Sequence, residues 1–363
     1  MIQPFLEHIL NALNQRYSVE MSLNFIDDSK LLPFIDKRTL CININKRLPL
    51  LLDLYMYGDV NLLLKYYITH KYMSYNKYDK AERWLYKTNK IIDKKLDKGL
   101  LLQIKDKIKR QFFKKTNNSA LVYQVLFVFL HEYSHGLFTV NVERKSTYFS
   151  IVKERIEDVM NQDQNEVQNI ISKEIPWGMR SFLYDELGFG RINRVQEQMS
   201  VILQNKNKLE EYACDFHAWN VMMEIFKNGG SSKEELYDAC VQSVRVLYFI
   251  ENIKAIEDCI LQKIDMSKAE SVSFCDSARY SLLTYHIIFY LDHLEKGLGK
   301  SFDMMFDIYR RDYIRDFVKN VYPYALQTID FSDGAEFPIA ETSKALFKKI
   351  DELENKLSYV LVS

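Results

Sequence analysis

The sequence predicts a mainly helical protein with a small β-sheet near its N-terminus, and three observations carry that expectation. Only 11 glycines and 6 prolines occur in 363 residues, against average usage of roughly 7% and 5%, so the chain lacks the turn residues that sandwiches and barrels require. Apolar residues recur at three- and four-residue intervals over much of the length, the period of a helix with one buried face. Two short N-terminal segments alternate with period two, as half-buried strands do.

Each element has its own warrant. Pro4 to Tyr17 places Phe5, Ile9, Leu10 and Leu13 on one stripe, which predicts a packed helix. The alternating segments are Val19–Ile26 and Thr39–Asn45; in the second, Leu40, Ile42 and Ile44 share one face while Cys41, Asn43 and Asn45 share the other. Between them DDSKLLPFIDKR supplies turn chemistry through Asp27-Asp28-Ser29 and Pro33. Leu50 to Lys115 reads as helical with a break at Gly99, and Asn117-Asn118-Ser119 can cap an apolar helix from about Ala120 through Gly136. Further helices are expected at about 151–174, at about 192–228 up to Gly229-Gly230, and from the capping box Ser232-x-x-Glu235 towards Gln262. Others are expected at about 267–295, 301–324 and 342–358, with Ser332-Asp333-Gly334 and Pro338 marking a loop before the last. A division near Gly229-Gly230 would separate residues 1–230, a core carrying a basic helical insertion at about 50–115, from a helical region at 231–363 continuous with it.

Composition excludes several classes. With 47% hydrophobic and 13% aromatic residues the chain is not a disordered polyelectrolyte. Its 49 basic and 49 acidic side chains cancel, so its overall charge does not mark it for nucleic acid or an anionic membrane. Five widely spaced cysteines (Cys41, Cys214, Cys240, Cys259 and Cys275) form no C-x-x-C pair, as expected of reduced thiols in the cytoplasm. The N-terminal segment has no basic n-region or small-residue cleavage site, and the longest apolar stretch, about 120–130, is too short to span a bilayer. These features together predict an unexported protein with no membrane partner.

Charge is uneven locally: residues 71–115 hold 15 Lys/Arg against 5 Asp/Glu. Interleaved apolar residues such as Trp84, Leu85, Ile91, Leu96, Leu101 and Ile108 make this a basic amphipathic helix pair, with lysines solvating the outer face. Engagement of nucleic acid or an acidic protein is the alternative for this segment, and with it a non-enzymatic binding or regulatory role for the chain.

The chemistry concentrates in residues 131–135, His-Glu-Tyr-Ser-His. On a helix His131 and His135 lie one turn apart on one face and can converge on one Zn²⁺, while Glu132 sits about 100° round, within reach of a water there. The preceding LVYQVLFVFL is apolar on nearly every side, so three polar side chains would be buried at a cost unless something satisfied them. A third protein ligand is needed. A metzincin would place a glycine and a histidine where this chain has Phe138 and Asn141, which excludes that class. Downstream, Glu211 and Asp215 share a helix face with Cys214 and Ala218. Glu211 can ligate the metal while Asp215 hydrogen-bonds a ligand imidazole, and the small residues allow close helix approach, so that Cys214 reads as packing rather than as a nucleophile.

H-E-x-x-H followed by Glu211-Tyr-Ala-Cys214-Asp215-Phe-His-Ala218 resembles the gluzincin zinc metallopeptidases, whose E-x-x-A-D-x-x-A motif it matches except for cysteine before the aspartate. The layout is similar to soluble bacterial members, phage-exclusion peptidases among them. The resemblance implies a zincin-like α+β core over residues 1–230, Zn²⁺ on His131, His135 and Glu211, and Glu132 as general base. It further implies Asp215 behind a ligand, a protein or peptide substrate, and a role in antiviral defence. Tyr212, His217, Tyr285 and His286 are the candidates for an oxyanion donor. His217, six residues after Glu211, points away from the ligand face, and His286 and His293 lie seven apart on an apolar helix as core or helix-surface residues.

Overall fold

In a computed structural model the described residues are 2–26, 31–49, 51–52, 119–173, 202–262 and 277–303. The basic segment 71–115 and the helices expected at 301–324 and 342–358 lie outside them, apart from residues 301–303. Among the described residues the main elements are, in order, α1 (Ile2–Tyr17), β1 (Ser22–Ile26), β2 (Phe34–Asp36), β3 (Cys41–Asn45), α2 (Ser119–Val140), α3 (Val142–Lys173), α4 (Lys206–Asn228), α5 (Lys233–Gln262) and α6 (Ser277–Leu294). The fold is mainly α with a small N-terminal sheet, as the sequence predicts.

α1 buries Leu6, Ile9, Leu10 and Leu13 and leaves through Ser18 at φ 53°. Asn14 then fastens the helix to the sheet, its Nδ2 donating to the Met21 carbonyl at 2.8 Å. Both alternating segments form strands, and β3 is their centre: it pairs parallel with β1 and antiparallel with β2. Ile42 sits opposite Leu23 on one side and Ile35 on the other, and Ile42 and Ile44 are sealed from solvent. The strand Phe34–Asp36 falls where the sequence showed only turn chemistry. Three residues directly after Pro33 give no alternation to detect, and their ladder is formed with β3 rather than with neighbours in sequence. Asp36 closes the connection to β3, accepting from the Arg38 backbone N–H at 3.0 Å and the Thr39 hydroxyl at 2.9 Å.

Helix α2 is the axis of the molecule. From Ala120 to Phe138 only Val122 and Glu132 are not buried, the pattern of a helix covered on all sides. It packs most extensively on α4 and also meets α5, α3, α1 and the sheet. Gly136 permits the approach to the sheet: a Cβ there would lie 2.5 Å from Ile35 Cδ1 and 2.7 Å from Met21 Sδ. The helix runs past Gly136 to Val140 and turns at Asn141 directly into α3, well before the start at 151 that apolar spacing suggested. Asn141 caps the new helix, its Oδ1 accepting from the Arg144 N–H at 2.9 Å.

The other helix starts are also set by local chemistry. Asn205 Oδ1 accepts from the N–H groups of Asn207 and Lys208, so α4 begins at Lys206, while the earlier part of the helix expected from 192, residues 192–201, lies outside the described residues. Gly230 adopts φ 75° where α4 ends. Ser232 and Glu235 make the expected capping box: Glu235 accepts from the Ser232 N–H at 2.8 Å and Ser232 Oγ from the Glu235 N–H at 3.2 Å. α5 packs on α2, and α6 on α4 and α5, so helices on both sides of Gly229-Gly230 share one apolar core. Between α2 and α5 a buried Gln124 amide donates to Gln242 Oε1 at 2.8 Å. Among the described residues no helix is long and apolar enough to cross a membrane.

Replacing Gly136 with valine would force two methyl groups into the contact with Ile35 and Met21. The expected cost is about 1–3 kcal/mol, read as a lower urea midpoint with an unchanged m-value.

Candidate metal centre

Helix geometry alone places His131 and His135 one above the other on α2, and the packing of α4 supplies what faces them. The two Nε2 atoms lie 3.2 Å apart. Glu211 of α4 reaches both rings, Oε2 lying 3.6 Å from His131 Nε2 and Oε1 3.3 Å from His135 Nε2. These three side chains form a group able to hold a metal ion. The centre is buried but not sealed: His131 and His135 side chains are 6% and 10% exposed, Glu211 35%. Cys214 and Ala218 are fully buried on α4, in keeping with close approach of the two helices.

The outer ring nitrogens each meet a different carboxylate. His131 Nδ1 lies 2.8 Å from Asp215 Oδ1, and Arg279 of α6 holds Asp215 from beyond with two parallel bonds, Nε to Oδ2 at 2.6 Å and a terminal NH₂ to Oδ1 at 2.8 Å. Arg279 also lies 3.5 Å from Glu211. His135 Nδ1 lies 3.1 Å from Glu210 Oε1, and Glu210 in turn accepts from Lys37 at 2.7 Å and from Lys145. With Nδ1 turned to a carboxylate, each ring presents Nε2 to the centre, the arrangement by which ligand tautomers are fixed in metal proteins.

Electrostatics favours positive charge at this point. Burial by itself would lower both histidines, but Asp215 and Glu211 raise His131 to about 9, and the hydrogen bonds with Glu210 and Glu211 raise His135 to about 9. The His135 bond, helped by the two lysines, holds Glu210 well below the carboxylate range against its partial burial. Burial would raise Glu211 and Asp215, yet the histidines outweigh it for Glu211 and the Arg279 charge for Asp215. Three ionised carboxylates thus surround two imidazoles whose nitrogens face each other at 3.2 Å. Two protonated rings would repel across that gap, whereas one divalent cation would satisfy the carboxylates and both lone pairs.

Glu132, partly exposed, stands next round the helix and adds its charge to the field on His135. His217 lies elsewhere, as its spacing from Glu211 requires. Its Nδ1 is 2.7 Å from Ser134 Oγ, which donates to the Leu130 carbonyl, and Tyr17, Phe138 and Tyr148 surround the ring. Burial and the nearby Arg144 and Arg16 charges push its pKa down to about 3. His286 stacks on Phe216 with centroids 4.5 Å apart and meets the edge of Trp219; burial lowers it to about 4. Both are neutral core residues. His293 is exposed and bonds the Phe289 carbonyl, Tyr212 is buried, and Tyr285 packs edge-on against Phe289.

Sequence reasoning missed Glu210, Arg279, Lys37 and Lys145. Glu210 is adjacent to a chosen ligand and carried a weak signal as the first of two consecutive carboxylates. Arg279 stands 64 residues beyond Asp215 on another helix, with no spacing rule to link them. No protein-family model matches the chain, and no curated protein or solved structure is significantly similar to it.

Asp215 is 1% exposed and relies on Arg279. Replacing Arg279 with leucine would leave that carboxylate undercompensated, at an expected cost of about 3–5 kcal/mol in chemical unfolding of chelator-treated protein. Arg279→Lys, which restores charge but not the paired bonds, should recover part of the loss.

Proposed function

We propose that the chain is a zinc-dependent metallopeptidase, hydrolysing peptide bonds of a protein substrate, with the ion held by His131, His135 and Glu211. The observation that carries this reading is the convergence of two imidazole nitrogens 3.2 Å apart on one carboxylate, Oε1 of Glu211 lying 3.3 Å from His135 Nε2 and Oε2 3.6 Å from His131 Nε2, with one ligand atom of each residue within 4.8 Å of the others. A tetrahedral site with bonds of about 2.0–2.1 Å has edges of about 3.3–3.4 Å. Three protein ligands with one partly exposed side fit a catalytic site better than a closed structural one. Two nitrogens with one carboxylate oxygen is also a donor set that suits zinc.

Zn²⁺ at such a position supplies Lewis-acid activation of water and of a carbonyl oxygen. The chain's own part begins with Asp215 and Glu210, which keep a proton on Nδ1 of each ring and leave both Nε2 lone pairs free to ligate. Arg279, Lys37 and Lys145 keep those carboxylates ionised. Glu132, not buried and one position from a ligand, takes the proton of the attacking water as its oxygen bonds to the peptide carbon. It then delivers that proton to the amine as the C–N bond breaks. A part in antiviral defence rests on the resemblance to phage-exclusion peptidases alone. The binding-protein alternative rests on the basic residues 71–115, outside the described residues.

Protein purified without added metal is expected to contain close to one zinc per chain by elemental analysis, and Glu211→Ala to lose it. Glu132→Gln should keep the zinc and lower cleavage of an unstructured protein substrate by about 10²–10⁴-fold. A folded wild type that neither contains nor takes up zinc overturns the reading, as does full activity in Glu132→Gln.

A further inference from the structure

Two lysines of the centre have so far been given only the task of keeping Glu210 ionised, and their placement goes beyond it. Lys37 lies on the turn between β2 and β3, Lys145 in the first turn of α3, and both converge on Glu210 of α4. The two lysine side chains are 50% and 32% exposed. The lysine ends of these pairs are open, where an ion pair contributes about 0–1 kcal/mol to folding; the Glu210 end is 13% exposed, so part of their effect is to offset burial of its charge. Their geometry serves something else. Glu210 Oε1 is shared between Lys37 at 2.7 Å and His135 Nδ1 at 3.1 Å, while Oε2 takes Lys145. One oxygen therefore lies between a surface cation and a ring of the metal group, and the other oxygen fixes the rotation of the carboxylate.

The opposite arm differs in kind. Asp215 and Arg279 are 1% and 3% exposed, a rigid buried pair. Glu210 is held from the surface, by partly exposed lysines on the β2–β3 turn and on α3. We propose that Lys37 and Lys145 are positioning residues of the metal centre, acting through Glu210 to set the orientation of His135. The β2–β3 turn and the start of α3 thereby become coupled to occupancy of the site. This rests on the metal reading above. The coupling is reciprocal: if the clamp favours the bound ion, the ion favours the closed clamp by the same factor.

The test uses the full chain, stripped of metal, titrated with Co²⁺ and competed with Zn²⁺. The Lys37→Met/Lys145→Met double variant is expected to bind both ions about tenfold more weakly, within the range of about 10–100-fold for partners of ligand imidazoles. Its Co²⁺ visible absorption bands should shift, while melting of the metal-free protein stays as in wild type. Glu210→Gln should show a loss at least as large, and Lys37→Arg/Lys145→Arg, which keeps charge and donors, should restore most of the affinity. In wild type, Zn²⁺ should slow amide exchange in residues 37–40 and 142–146, and in the double methionine variant it should not.

Unchanged affinity, spectrum and exchange in the methionine variant overturn the inference while leaving the metal site intact. So does a fall in affinity matched by a fall in the melting temperature of the metal-free protein, which would make the clamp merely structural. A wild type that binds neither ion overturns both this inference and the metallopeptidase reading. Binding lost in Glu211→Ala but indifferent to both lysines and Glu210 overturns this inference alone.

Discussion

Two imidazoles at the centre of an apolar helix need partners, and most of the architecture can be followed from that need. Bulk water meets little of that need, because α2 is covered by other elements from Ala120 to Phe138 except at Val122 and Glu132. The partners must come from protein, and α4 brings Glu210, Glu211 and Asp215 across in a little over one turn. Carboxylates buried against histidines need cations in their turn. Arg279 comes from α6, Lys37 from the β2–β3 turn and Lys145 from α3. A single polar cluster thus draws on α2, α3, α4, α6 and the β2–β3 turn, with α4 supplying its three carboxylates.

Charges in this cluster are layered. Imidazole nitrogens and Glu211 form the inside, carboxylates turned to Nδ1 the next layer, and cations the outside. Alternation of sign lets every group remain in the protonation state that its neighbour requires, and it lowers the cost of desolvation that any one of these groups would meet alone. The two arms differ in exposure, which separates a fixed side of the cluster from an adjustable one. His131 is tied to the helical core through Asp215 and Arg279, whereas His135 is tied through Glu210 to residues at the surface.

The remaining histidines of the core illustrate the opposite solution. His217 and His286 are kept neutral by burial, among Tyr17, Phe138 and Tyr148 in one case and Phe216 and Trp219 in the other. Ser134 lies between the two histidines of the motif and faces His217 instead of the metal group. One helical turn therefore presents a charged site on one face and an apolar, aromatic one on another, through the 100° step between successive residues.

What the amino-acid order determined by itself was local and periodic. The four-residue interval set His131 above His135 and Glu211 in line with Asp215. The two-residue alternation of Thr39–Asn45 set β3, and Asn and Ser side chains with Gly229-Gly230 set where helices begin and stop. These are interactions between residues within a turn or two of each other, where spacing fixes geometry. Tertiary structure decided the rest. The strand Phe34–Asp36 exists through its ladder with β3, and the start of α3 depends on the cap at Asn141. The rotation of α4 against α2 determines that Glu211 turns inward and Glu210 turns to His135, a distinction between two identical neighbouring side chains that no pattern encodes. Arg279, Lys37 and Lys145 join the centre only because separate elements pack there, and charge complementarity between distant segments leaves no period in the sequence.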